Sequence, residues 1–570
     1  MDTRRTVLWV VFSVSLFLLW DNWQRFQGKP SLFGGGVTKQ VSAAGSPPAV
    51  PVAGGDVPAA TPAVVPKDGV PAASAASTAV PVAAVPVTPA PAAETVSVST
   101  DLFKVDLNSM GAEVRRVELL LHRDSVDQTK NMVLLDAGTE YVYLAQSGLV
   151  GGPVGTTLPN HRTPFAVAPG PRTLEAGQNE LKVSFTAESS GVKLVKTYTF
   201  KRGSYDIGVS HQIINDSAVP ITPQLYLQLV RDGKDPTGGS SFYSTFTGMA
   251  VYTSTEKFQK EAFSDIEKGK TKHASKGTDG WIAIIQHYFV SAWIPSDKLA
   301  RDIYTEKVGD NLYRVGTKLI LAQIAPGASL TDNAQLFVGP QEERTLEKVA
   351  PGLDLVRDYG FLTVVAKPLF WLLERLQAML GNWGWAIIAL TVLIKLAFFP
   401  LSAAGYRSMA RMKKVAPRLK ALQDRHKGDR AKLNQAMMEL YRSEKINPMG
   451  GCLPIVVQIP VFIALYWTLL ASVEMRNAPW IGWIHDLAMP DPYFILPVIM
   501  MASMLVQYKL NPAPPDPLQA KMMLFMPLVF GIMFFFFPAG LVLYWVVNNL
   551  LSIAQQWQIT RSIERNSKLA

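Results

Sequence analysis

Lys395 interrupts the otherwise uncharged run from Trp383 to Ser402. An ionised side chain near a bilayer centre costs about 2.5–3.5 kcal/mol on insertion scales, so such a group faces water or a partner. At about 1.5 Å per residue from Trp383, Lys395 lies roughly 18 Å into a helix, just past the middle of a span. Thr391 sits one turn earlier on the same helix face. Gln458 falls in the middle of the next apolar run, and Asn548 and Asn549 fall in the last. Each amide alone can bond a neighbouring helix. Together with Lys395 they can line one hydrophilic cavity, in which a fixed cation would attract acidic groups. The other reading is a lysine that snorkels to the headgroups.

Catalytic constellations are absent. The sequence has no HExxH, no GxSxG, no Walker A loop and no Cys or His cluster, and its 7 histidines are scattered. An intramembrane protease would need paired acids or a Ser/His couple within the apolar runs, and neither occurs. The chain therefore reads as a non-enzyme that needs no metal or cofactor. Cys452 is the single cysteine, so any extracytoplasmic domain must be stable without an intramolecular disulfide. The net charge of +10 would suit nucleic acid, but the basic residues concentrate beside apolar runs, as orientation in a membrane requires. No sequence-specific nucleic-acid partner is expected.

The elements that must position Lys395 follow from composition. Residues 1–27 carry Arg4 and Arg5 before the apolar stretch Val7–Trp20, with no prompt Ala-x-Ala site. They read as an uncleaved signal anchor, the alternative being a cleaved signal peptide. Residues 28–100 are rich in Pro, Ala, Val, Gly and Ser, which cannot build a packed core, and read as a flexible tether. From 101 to 345 the pattern alternates. Tyr205, Ile207, Val209, His211 and Ile213 recur every second residue, as do Leu225, Leu227 and Leu229. Period two punctuated by Gly, Asn and Asp predicts antiparallel strands, and two sheets that bury each other's apolar faces make a soluble all-β sandwich.

The remainder reads as a multi-pass α-helical core. A linker and amphipathic helix (346–382) precede a transmembrane helix at 383–404 and a basic helical hairpin at 405–449. Four more spans lie within 450–560, and a basic tail covers 561–570. The run from Met522 to Thr560 is too long for one span and breaks at Pro538-Ala539-Gly540, so it reads as a helical hairpin. With the anchor this makes six spans. Parity decides the ambiguous segment Phe361–Leu380. Were it to cross, the loop Tyr406–Asn447, with 12 Lys or Arg against 4 Asp or Glu, would lie outside, whereas such loops stay cytoplasmic. The segment is therefore expected to lie in the outer interface. Both termini and the basic hairpin are then cytoplasmic, and the β domain is periplasmic. In the hairpin, Pro417 is suited to open a second helical segment, and Gly428 and Asp429 to cap two helices. Its basic faces can meet anionic lipids or dock ribosomes and nascent chains.

Gly381-Asn-Trp-Gly-Trp385, Asn447-Pro-Met-Gly-Gly-Cys-Leu-Pro454, Trp483-Ile-His-Asp-Leu487, Asp491-Pro-Tyr493 and Pro538-Ala-Gly-Leu-Val-Leu-Tyr544 stand in order and at matching spacing. With them the chain resembles the YidC/Oxa/Alb insertases, of the Gram-negative type with a large periplasmic domain. The resemblance covers the anchor, the end of the β domain and the spans, but not the tether. It implies a bacterial inner-membrane insertase and folding chaperone with a periplasmic supersandwich, five core spans and a groove open to cytoplasm and lipid. It further implies nascent membrane-protein clients, with the ribosome and the Sec translocon as partners. Tyr544 and Trp545 match an aromatic pair that contacts clients in the family. The family places an arginine where this chain has Lys395, so the charge is kept and the bidentate fork is lost. A transporter or channel using Lys395 as an anion site is the rival of a different class. Inverted repeats would favour it, and none is visible in the hydropathy pattern.

Overall fold

The structure is a computed structural model and describes residue 58 and residues 93–138, 141–236, 245–296, 298–426, 429–444, 453–510 and 517–569. The expected anchor and nearly all of the expected tether lie outside these residues, as does the six-span total that depends on the anchor.

Alternating hydrophobicity becomes a two-layer sandwich. Among the described residues each sheet has nine strands. One sheet runs in the order Thr95–Ser99, Phe103–Asn108, Glu113–Arg123, Asn131–Ala137, Val142–Val150, Gln224–Asp232, Leu312–Ile320, Arg301–Gly309 and Lys276–Gly277. The other runs Lys257–Glu261, Gly248–Thr253, Trp281–Gln286, Phe289–Pro295, Ser329–Pro340, Asp206–Asn215, Val192–Lys201, Glu180–Ser189 and Ala166–Val167. Tyr205, Ile207, Val209, His211 and Ile213 are all buried, as the period-two pattern requires. Gln224–Asp232 is buried on both faces; on its outer side the His161 N–H donates to the Tyr226 hydroxyl (3.0 Å) and the Tyr304 hydroxyl donates to Gln228 Oε1 (2.9 Å). The first strand corrects the expected boundary at residue 101. Thr95–Ser99 pairs with Phe103–Asn108, because Val96 and Val98 already alternate into the core at the end of the proline-rich region.

Two short helices, α1 (Phe263–Glu267) and α2 (Glu343–Val349), belong to the sandwich and its exit. The helical part comprises α3 (Thr363–Leu380), α4 (Trp383–Ala397), α5 (Phe399–Arg425), α6 (Arg430–Ser443), α7 (Leu453–Ala471), α8 (Ile495–Leu510), α9 (Pro517–Phe534) and α10 (Ala539–Leu569). α10 packs against α4, α5 and α8, and α3 packs against α4 and α7. Among the described residues no single helix is both long and apolar enough to cross a bilayer. α4 together with Phe399–Met412 meets that test as a pair bent by 66°. The continuous span expected at 383–404 is thus broken at Phe398. Pro400 has no N–H for the Leu396 carbonyl, and its ring crowds that carbonyl, so a straight helix cannot pass.

Pro417 does not open a new segment. It lies inside α5, which continues to Arg425. The Asp429 cap forms as expected, its Oδ1 accepting from the Lys432 N–H (3.1 Å), while Gly428 is outside the described residues. Arg418 and Glu444 form an ion pair between α5 and the end of α6. The expected break at Pro538 is present between α9 and α10.

Candidate functional site

The Gly381-to-Trp385 motif sets where α4 starts. Gly381 ends α3 in the left-handed region (φ 67°) and donates to the Gln377 carbonyl (2.7 Å). Asn382 caps α4, accepting from the Trp385 N–H (3.2 Å) and donating from Nδ2 to the Pro479 carbonyl (2.9 Å). A Cβ on Gly384 would come 2.2 Å from the Trp480 ring, so only glycine admits that indole. The start of α4 is thereby pinned to the 478–487 loop, and Lys395 comes three turns later, just before the bend.

Lys395 is 4% exposed. Its Nζ donates to Ser552 Oγ on α10 (2.7 Å), and that hydroxyl donates to the Asn548 carbonyl (2.8 Å). An ammonium has three donors. Among the described residues Ser552 is its one hydrogen-bond partner, and no carboxylate lies within ion-pair distance. Asn548 therefore takes part through its backbone. Thr391 is buried on the same face of α4, but its hydroxyl donates to the Ile387 carbonyl of its own helix (2.7 Å). Asn549 turns toward α8, where its Nδ2 meets Ser503 Oγ (3.3 Å) and Met500 Sδ (3.5 Å).

Gln458 is half-buried on α7 and makes no hydrogen bond among the described residues, so it joins no polar cluster with Lys395. α7 meets the site through an aromatic side chain instead. One turn on, Phe462 packs edge-to-face on Trp545 (4.3 Å between ring centroids) and stacks with Tyr544 (6.0 Å). Phe534 closes on Trp545 from α9 (5.1 Å). Trp545, Asn548 and Ser552 recur at helical spacing, so α10 carries an aromatic contact and, about 10 Å along its axis, the hydroxyl that holds Lys395. Ser552 is a site residue that only its place one turn after Asn548, on the same helix face, signals in the sequence.

The N-terminal end of α10 is closed. The Ala539 N–H donates to the Met489 carbonyl (2.7 Å) and the Gly540 N–H to that of Leu487 (2.9 Å). Asp491 accepts from Trp483 Nε1 (2.9 Å) and from the Leu496 N–H at the start of α8 (2.7 Å). Beside this cap, buried Arg357 pairs with Glu474 (2.8 Å), donates to Ser472 Oγ (2.7 Å) and lies over the Phe370 ring (4.0 Å). Burial pushes the Glu474 carboxyl up, and Arg357 opposes that shift. Arg476 donates to the Arg123 carbonyl (2.5 Å), and His287 meets the Leu470 carbonyl (3.0 Å), so the sandwich rests on the same end of the helices. Among the described residues no three His, Cys, Asp or Glu side chains form a group that could hold a metal.

The described residues thus form a β-sandwich seated on one end of a helical bundle, and the family matches make this the architecture of an inner-membrane protein with a periplasmic domain. Residues 95–372 match the YidC periplasmic domain, and residues 375–566 match the 60Kd inner membrane protein family. Membrane protein insertases YidC align along the whole chain. That of Janthinobacterium sp. (strain Marseille) is 54% identical over 99% of each chain. That of Bordetella petrii is 56% identical over 100% of each. The crystal structure of an active YidC insertase with its first transmembrane domain resolved is 17% identical, with a TM-score of 0.37, and covers 81% of this chain and 91% of that one. The chain belongs to the YidC family of membrane protein insertases and is not an enzyme.

Proposed function

We propose that clients enter along the stripe of α10 that runs from Trp545 to Ser552, with Lys395 as the charge that receives their acidic translocated segment. The supporting observation is the enclosure of Lys395 with one neutral hydroxyl and no carboxylate among the described residues. A cation held this way gains much from an incoming carboxylate and little from its resting partner. The Phe462–Trp545 contact gives the client's apolar span a surface to slide along, and burial of that span in lipid drives the translocated segment outward. In this reading the cap around Pro538 and Asp491 faces the periplasm, α3 lies in the outer interface, and the α5–α6 hairpin is cytoplasmic. The hairpin's exposed basic residues meet ribosomes or anionic lipid. Work alone or beside the Sec translocon is compatible with a groove that opens sideways to lipid.

The test places a cysteine at position 395 in a Cys452→Ser background. A water-soluble maleimide added from the cytoplasmic side should modify it, and a stalled client with an acidic tail should protect it. A thiol that is unreactive in both states would contradict the groove. Solute flux through the parent protein in liposomes would support a channel instead.

A further inference from the structure

We propose that the cleft between the sandwich and the first turn of α3 seats the headgroup of an outer-leaflet phospholipid with both a phosphate and a primary ammonium, as in phosphatidylethanolamine. This rests on reading α3 as an interfacial helix. The cleft encloses about 310 Å³ and is lined by Phe258, Lys260, Asp354, Asp358, Gly360 and Lys367, among others. Lys260 Nζ pairs with Asp358 (2.6 Å), and Lys367 Nζ pairs with Asp354 (2.6 Å), with Glu343 at 3.5 Å. Both lysines are partly exposed, their side chains 25% and 34% accessible. Partly exposed pairs of this kind hold together weakly. A zwitterion can therefore insert between them, its phosphate accepting from the two ammoniums while its own ammonium donates to the carboxylates. Every charge stays paired. A purely anionic headgroup would face two unrelieved carboxylates, and a quaternary ammonium has no N–H to give them.

Lipid access follows from the helix. Val364 is 87% exposed, and Trp371 and Met379 are exposed along the same side of α3. Lys367, three residues after Val364, sits about 60° around the helix from it, so the cleft opens beside this apolar stripe. Tryptophan on such a stripe suits the headgroup level of a bilayer. The floor at Gly360 lies against the Trp467 indole of α7, 3.6 Å from where a Cβ would stand. The cleft therefore joins the sandwich, α3 and a core helix at one place.

The test is native mass spectrometry of the full-length protein released from nanodiscs with equal phosphatidylethanolamine, phosphatidylcholine and phosphatidylglycerol. The parent should retain the ethanolamine lipid by about fivefold over the other two. The Lys260→Ala/Asp358→Ala variant should lose that preference while insertion stays within about twofold, since both side chains are at the surface. Equal retention of all three lipids, preference for phosphatidylglycerol, or an unchanged preference in the variant would overturn the proposal. Retention of soluble glycerophosphoethanolamine with no retention of the diacyl lipid would overturn the lipid assignment. Quenching by lipids with brominated acyl chains, compared between the parent and Trp371→Phe, reports the placement of α3 separately. Quenching at Trp371 without a headgroup preference defeats the headgroup site alone. No quenching at Trp371 defeats the interfacial reading and the headgroup site together. Neither result bears on Lys395.

Discussion

Two lysines are enclosed among the described residues, one in each half of the molecule. Lys196, in the sandwich, donates to the carbonyls of Gly111 (2.6 Å) and Ser147 (2.8 Å) and lies over the Phe165 ring (4.9 Å). Burial pulls its pKa down to about 7, and the attraction of Glu113 partly restores it. Its acceptors are backbone atoms fixed by the strands, so the lysine ties the two sheets and has nowhere to go. Lys395, in the helical core, has one hydroxyl on a neighbouring helix. Helices that meet through side chains can separate without breaking a backbone ladder. If Lys395 receives clients as proposed, burial alone does not mark a functional charge, and what separates Lys395 from Lys196 is burial with too few partners.

The largest effect expected on stability is at Lys196. Lys196→Ala leaves two buried carbonyls without their donor and opens a cavity between the sheets, while Glu113 keeps Arg115 (3.1 Å) and the Gln146 amide (2.7 Å). The change should cost about 3–5 kcal/mol in denaturant unfolding of the solubilised protein. Insertion per folded molecule should be unchanged. A loss below about 1 kcal/mol would mean that Lys196 is no better held than Lys395, and the comparison would fail.

Next in size is the contact that joins the two halves. Arg357→Ala leaves the half-buried Glu474 carboxylate without its partner, which should cost about 2 kcal/mol. Amide exchange along residues 363–380 should then speed by about a hundredfold, and reversing both charges should restore part of the protection. Unchanged exchange would show that α3 is held by its apolar face alone.

A pH-dependent effect of similar size belongs to His211, which contacts Ser147 Oγ (2.9 Å) beside Lys196. Burial, and then the charge of Lys196, lower its pKa from 6.5 to about 3. The unfolded chain takes up this proton first, so the stability linked to His211 is present above pH 6.5 and is lost as pH falls toward 3. Between pH 7 and pH 5 the parent should lose about 2 kcal/mol relative to His211→Gln. Parallel stability curves for the two proteins would contradict a neutral, enclosed imidazole.

Much of this was legible in the residues. Strict alternation at Tyr205–Ile213 marks a strand because one sheet face is dry, and Pro538 marks a helix break because proline lacks a donor. The bend at Phe398 carried the same signal in Pro400, but the apolar run on either side of it looks continuous by hydropathy. Arg357 and Glu474 lie 117 residues apart, and nothing local in either says that they meet. Ser552 was hidden for a different reason. A serine in an apolar helix satisfies itself on its own backbone, as this one does at Asn548, so its second role appears only when α4 is laid beside α10. Gln458 shows the reverse, since its polarity suggested a shared cluster and helix packing kept it apart.

In the proposed mechanism the poorly partnered charge of Lys395 acts on the client. Its most direct test is the rate at which the reconstituted full-length protein inserts two clients that differ only in whether the translocated tail is acidic or neutral. Lys395→Ala should slow the acidic client by about tenfold, or 1.4 kcal/mol, and leave the neutral one within about twofold. Lys395→Arg should insert both normally, because charge is conserved. If Lys395→Ala slows both clients equally, or neither, the lysine is a structural or snorkelling residue and does not receive the client's acidic segment.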